Sequence, residues 1–141
     1  MDDAQPPKRS ISGERSKGSL VLLVEDEYDL RNAIAEVLTQ EGFRVIEARD
    51  GHAAVVKALA YLPAIIVMDI ALPLMDGARV ARVLRSNVRT ATVPLIAFTG
   101  TLLDARDRRA FDALVPKPCA PEVLVHTVRW ILAGRDRKAG R

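Results

Sequence analysis

Residues 20–26, LVLLVED, and residues 64–69, AIIVMD, decide the fold: each is a strand-length apolar run closed by carboxylates. A strand with one wet face alternates apolar and polar side chains, whereas a run that is apolar throughout must be covered on both faces, as in a parallel sheet flanked by helices. Working outward, PLIAF (94–98) and the shorter ALV (113–115) repeat the pattern, and FRVIEA (43–48) reads as a further strand. Helical periodicity fills the gaps between strands. Leu30, Ile34, Val37 and Leu38 share one helical face, and Gly42 stops that helix. Asp50 caps GHAAVVKALAYL, which Pro63 ends. Residues 78–85 turn Val80, Val83 and Leu84 inward, residues 102–112 read as a short charged helix, and Pro121 with Glu122 opens a last helix to Ala133, with Gly134 behind it. Strands and helices alternate, so the expected architecture is α/β: a doubly wound, five-stranded parallel sheet in the order 2-1-3-4-5, the commonest arrangement that right-handed crossovers allow at this size.

The 141 residues suit one domain with a core that needs no staple, and the single cysteine excludes an internal disulfide or a Cys-based zinc site. No apolar run approaches the ~18 residues of a membrane span, and the first residues lack the apolar segment of a secretory signal, so the expected compartment is the cytoplasm. The net charge of +3 is unevenly spread: +1 over 1–18, −1 over 19–134 and +3 over 135–141. This divides the chain into a polar, disordered N-terminal tail (1–18), a near-neutral globular unit (19–134) and a basic C-terminal tail (135–141). A solvated helix end explains that basic tail better than nucleic-acid binding does. Gly13 and Gly18 have the separation of a phosphate-binding loop, but Ser19 stands where lysine is required and no strand precedes them.

In open parallel sheets, ligands bind beyond the carboxyl ends of the strands. Strand one ends in Glu25 and Asp26, strand three in Asp69 and strand four in Thr99, and strand five is followed, after Pro116, by Lys117 and Pro118. Only strand two, expected at the edge, ends without a matching group. Three carboxylates and one ammonium leave the crevice at −2, which pushes a carboxylate toward protonation unless a divalent cation joins them. Mg²⁺ is the usual match for a few carboxylates, water and phosphate oxygens. Thr99 and Lys117 then remain for the other oxygens of a phosphoryl group, and a carboxylate nucleophile in such a site is suited to forming an acyl phosphate.

The strings VLLVEDE (21–27), IIVMDIALPLMDG (65–77), PLIAFTG (94–100) and LVPKP (114–118), in that order, resemble the signature segments of the response-regulator receiver family of two-component signalling. The resemblance covers residues 19–134. It implies that Asp69 accepts a phosphoryl group from a phosphohistidine on a sensor histidine kinase or histidine phosphotransfer protein. It also implies that Glu25, Asp26, Asp69 and the backbone carbonyl of Ala71 hold Mg²⁺, Thr99 being the hydroxyl that moves to the phosphoryl group and Lys117 its ammonium partner. Asp76 and Gly77 match the loop that closes the site, and the Lys117–Pro118 bond is often cis in the family.

Two departures concern the output. Where the family has an aromatic residue three positions before the lysine, this chain has Leu114, which lacks the ring that follows the hydroxyl inward. From Thr99 to Lys117 is 18 positions, about one helical turn short of expectation, so the fourth helix is expected to be shortened. Cys119 reads as a small buried filler, and His52 and His126 as helical surface or packing residues. Trp130 lies off the stripe of Leu124, Val128 and Ile131, and packing and partner contact are equally open for it.

With seven residues after Gly134, the expectation is a stand-alone receiver that signals to a downstream protein, with a homodimer available through the face of the fourth helix, fifth strand and fifth helix. It is not expected to be an enzyme beyond assisting its own phosphorylation and dephosphorylation. The competing reading is a degenerate receiver that works as an interaction module without phosphorylation. A dehalogenase-type phosphatase would need an acid two residues after the nucleophile, where this chain has Ala71.

Overall fold

The computed structural model describes residues 18–139, with side chains to Arg135. Five strands, β1 (Leu20–Val24), β2 (Arg44–Ala48), β3 (Ile65–Met68), β4 (Leu95–Thr99) and β5 (Ala113–Pro116), form one parallel sheet in the order β2-β1-β3-β4-β5. Five helices alternate with them: α1 (Tyr28–Gln40), α2 (Gly51–Tyr61), α3 (Gly77–Arg85), α4 (Ala105–Arg108) and α5 (Pro121–Ala139). The expected topology is the observed one.

The all-apolar strands do what their composition requires. Val21, Leu23, Ile65, Val67, Ile96, Phe98 and Val115 enter one buried cluster with Ile34 and Leu38 of α1 and Leu124, Val128 and Ile131 of α5. Their alternates Leu22, Val24, Ile66, Met68, Leu95 and Ala97 meet Ala54 and Ala58 of α2, Val80, Ala81 and Leu84 of α3, and Phe111 on the opposite face. Burying these side chains contributes about 1.5–3 kcal/mol each for the large ones, the term that holds the layers together.

Local signals place several helix ends. Asp50 accepts a hydrogen bond from the Ala53 amide at 2.7 Å and so starts α2, and Asp76 does the same for α3 through Arg79 at 2.9 Å. Gly42 (φ 99°) turns the chain out of α1.

Two helices differ from expectation. The fourth helix is short, as the Thr99–Lys117 spacing implied, but of the charged stretch read over 102–112 only the four residues Ala105–Arg108 are helical, none of them buried. No apolar stripe faces the sheet there, and one turn is all that a cap alone sustains. The last helix, expected to end at Ala133, runs through Gly134 to Ala139. An interior glycine costs about 1 kcal/mol but does not break a helix, and the Arg and Lys beyond it are good helix formers. The basic segment 135–141 is therefore helical as far as Ala139, while residues 1–17 and 140–141, including most of the expected N-terminal tail, lie outside the described residues.

Candidate functional site

The register brings the strand ends together. Val24 pairs with Met68, so the residues that follow, Glu25 and Asp69, emerge side by side. The Asp69 amide donates to the Val24 carbonyl at 3.0 Å, and the Lys117 amide donates to the Thr99 carbonyl at 3.1 Å. Four of the five strands thus deliver their terminal polar groups to one crevice, the arrangement anticipated from strand ends alone.

Inside it, Lys117 is the hub. Its Nζ donates to Asp69 Oδ2 at 2.9 Å and lies 2.8 Å from Glu25 Oε1, with the Phe98 ring 5.3 Å away. Glu25, Asp69 and Thr99 are buried, whereas Asp26 is exposed. Burial disfavours the Glu25 charge, and although the Lys117 ammonium and the Glu27 amide counter this, its pKa is raised. Burial also disfavours the Lys117 charge, but the adjacent Glu25 and Asp69 carboxylates prevail and hold its pKa above the usual amine value.

Glu25 Oε2 accepts from the Glu27 amide at 3.1 Å, but Oε1 has no hydrogen-bond donor aimed at it. The Lys117 ammonium, 2.8 Å away, is its charge partner. Asp69 Oδ1 accepts only a long bond from the Ala71 amide, 3.2 Å, and Asp26 contributes a third carboxylate. One oxygen each from Glu25, Asp26 and Asp69 lies within 4.8 Å of the others. Hard oxygen donors clustered this closely, one of them buried and under-satisfied, fit a small divalent cation.

The surroundings fix this geometry. A Cβ on Gly77 would sit 2.5 Å from the Asp69 carbonyl oxygen and 2.8 Å from Ile70 Cα, so only glycine lets α3 start this close to the Asp69 backbone. The Gly77 amide also donates to the Ile70 carbonyl at 2.8 Å. The Thr99 hydroxyl accepts from the Thr101 amide at 3.0 Å. The Lys117–Pro118 peptide is cis, as anticipated. Beside it, Cys119 is half-buried, and burial pushes its thiol pKa up, which suits a filler and not a nucleophile.

One contributor escaped sequence reading. Arg31 of α1 donates through Nη1 to the Glu25 carbonyl at 2.8 Å and through Nε to Glu47 Oε1 at 2.9 Å, bracing the acidic pair from behind. Its position on the polar side of a helix resembles any surface arginine, and nothing local distinguishes it. Trp130, left open by its spacing, is 65% exposed and so belongs to the surface.

The chain is similar to known proteins. The sequence profile of the response regulator receiver domain matches residues 21–129. The transcriptional regulatory protein TrcR of Mycobacterium tuberculosis is 35% identical over 92% of this chain and 54% of its own length. PdtaR of the same species, also a transcriptional regulatory protein, is 37% identical over 77% of this chain and 54% of its own length. The chain spans about half the length of the curated relatives it matches. Among solved structures, the receiver domain of a signal transduction histidine kinase from Syntrophus aciditrophicus superposes with a TM-score of 0.74 at 30% identity, covering 83% of this chain and 92% of that one. The receiver domain of the sensor histidine kinase PA1611 from Pseudomonas aeruginosa PAO1, with a magnesium ion coordinated in its active-site cleft, gives 0.71 at 28% identity, covering 82% and 98%.

Proposed function

The chain belongs to the response regulator receiver domain family, and on that premise we propose that it takes a phosphoryl group from a phosphohistidine onto Asp69. A sensor histidine kinase or a histidine phosphotransfer protein is the donor, and a protein–protein contact carries the signal onward. The receiver unit is assigned to residues 19–134. The observation that carries this reading is the half-buried Lys117 ammonium joining the buried Glu25 and Asp69 carboxylates beside the exposed Asp26 carboxylate.

In the transfer, an Asp69 carboxylate oxygen forms a bond to phosphorus as the phosphorus–nitrogen bond of the donor breaks, and the imidazole leaves. Catalysis of this type is mostly positioning and charge neutralisation. Lys117 neutralises Asp69 before transfer and remains within reach of a phosphoryl oxygen afterwards. Glu25, Asp26, Asp69 and the Ala71 carbonyl would hold Mg²⁺, which supplies the positive charge that offsets the carboxylates and the incoming phosphoryl oxygens. The Thr99 hydroxyl accepts from Thr101 in the free state, and turning toward the phosphoryl group exchanges that bond for a charge-assisted one. The chain assists its own phosphorylation and dephosphorylation and is otherwise a signalling protein, not an enzyme with a separate substrate.

The four-residue α4 and Leu114 in β5 favour a second reading, a module that binds partners without phosphorylation. Incubation with a small phosphodonor and Mg²⁺, followed by intact mass, separates the two. The wild type gains one phosphoryl mass and Asp69→Asn gains none. An unmodified wild type supports the second reading, and a modified Asp69→Asn variant removes Asp69 as acceptor.

A further inference from the structure

Strand β2 is the exception at the carboxyl edge: it sends no group to the acidic crevice and opens instead onto a separate cavity of about 360 Å³. Arg31 of α1, Glu47, Ala48 and Arg49 at the end of β2, and Ala53 and Lys57 of α2 line it. Three cations and one carboxylate give this lining a net +2, opposite in sign to the crevice beside it.

Glu47 is already committed. Its side chain accepts from Arg31 Nε at 2.9 Å, and its carbonyl accepts from Lys57 Nζ at 2.5 Å. Arg49 is exposed and, among the described residues, makes no hydrogen bond or ion pair. Asp50, next in the chain, is turned to the Ala53 amide as the α2 cap and leaves Arg49 unneutralised. A planar guanidinium with free donors beside a second guanidinium and an ammonium suits a phosphate group, which accepts charge-assisted hydrogen bonds from several directions.

We infer that the cavity between α1, β2 and α2 binds a phosphate-bearing anion, either inorganic phosphate or the phosphate of a nucleotide, at a site distinct from Asp69. Arg31 joins the two sites, because the same guanidinium that lines the cavity donates to the Glu25 carbonyl at 2.8 Å. An anion that draws Arg31 away from Glu47 therefore acts on the backbone of a crevice carboxylate.

The test is an amide NMR titration of the full chain without Mg²⁺, using inorganic phosphate and AMP as separate probes. Saturable shifts are expected at residues 47–53 and 57, unchanged in Asp69→Asn. They should require about tenfold more ligand in Arg49→Ala and in Lys57→Ala. Arg49 is exposed and has no partner among the described residues, so its replacement does not threaten folding. AMP binding tighter than phosphate identifies a nucleotide as the source, and equal binding identifies the phosphate group alone. The absence of saturable shifts at 47–57, shifts unaltered by both cavity variants, or shifts centred on Asp69 and lost in Asp69→Asn would each overturn the inference. The readout is binding without Mg²⁺, so it stands or falls independently of whether Asp69 is phosphorylated.

Discussion

Helices α3 and α4 begin in the same way and end differently. Each starts with an aspartate whose side chain accepts an amide hydrogen bond at 2.9 Å, Asp76 from Arg79 and Asp104 from Asp107. After its cap, α3 runs for nine residues and buries Gly77, Ala78, Val80, Ala81 and Leu84, whereas α4 stops after four and buries nothing. The lesson is that a cap starts a helix and an apolar face extends it: from Ala105 to Ala110 no side chain larger than alanine is apolar.

What covers that end of the sheet instead comes from elsewhere. Phe111 is buried on the α2–α3 face, with Leu103 and Ala110 packed at its margin. Arg85, the last residue of α3, reaches across to the Ala91, Val93 and Ala110 carbonyls and to Asp112 Oδ2, at distances from 2.7 to 3.1 Å. Asp112 Oδ2 in turn accepts from the Leu95 amide at 2.8 Å, so one side chain of α3 ties down the starts of β4 and β5. Arg82 adds an exposed ion pair to Asp107, 3.0 Å long, which contributes little.

The largest expected effect tests the single anchor. Phe111→Ala should cost about 3–5 kcal/mol in denaturant unfolding, because no neighbouring α4 side chain is placed to fill the space. A loss below about 1 kcal/mol would show that the segment closes without it and that α4 is better supported than α3's contrast suggests.

Next comes the tether. Arg85→Ala should destabilise the protein by about 2 kcal/mol, since it leaves carbonyls at the ends of two connections without donors. Hydrogen exchange should then quicken in residues 102–112 while remaining slow in 77–85. Equal loosening of both segments would break the comparison.

A smaller effect sharpens the other side of the molecule. Asp26 is exposed and no hydrogen bond among the described residues holds its carboxylate, while Glu25 is held by the Lys117 ammonium and the Glu27 amide. Calorimetric titration should therefore show Asp26→Ala lowering Mg²⁺ affinity about tenfold more than Glu25→Ala does. Equal losses would mean that both acids bind the ion directly.

The subtlest prediction concerns transmission. In the beryllofluoride–Mg²⁺ adduct, amide shifts should be large at residues 69–71 and 99–101 and modest through 102–116, because Leu114 and one turn of helix offer little to reorganise. Shifts of equal size across both stretches would show that the output face responds as fully as the site.

Much of this was readable in one dimension. Parallel strands place all their carboxyl ends on one edge, so Glu25, Asp26, Asp69, Thr99 and Lys117 could be grouped without knowing a single distance. The all-apolar runs dictated a sheet covered on both faces, and Asp50 and Asp76 marked helix starts because capping is a contact over three residues. That the fourth helix is short was readable from the Thr99–Lys117 spacing, but the exact bounds of α4 and α5 were not, since they also depend on what each helix packs against.

Tertiary structure alone decided the division of labour among the acids. Glu25 and Asp26 are neighbours with the same charge, yet one is buried against Lys117 and the other faces solvent, because successive residues at a strand end point to different sides. It also decided that Arg31 braces Glu25, that Arg85 takes over part of the missing helix's work, and that β2 ends on a basic cavity. Each of these joins residues far apart in the chain, and the energy of such contacts depends on distance and burial, which order along the sequence does not carry.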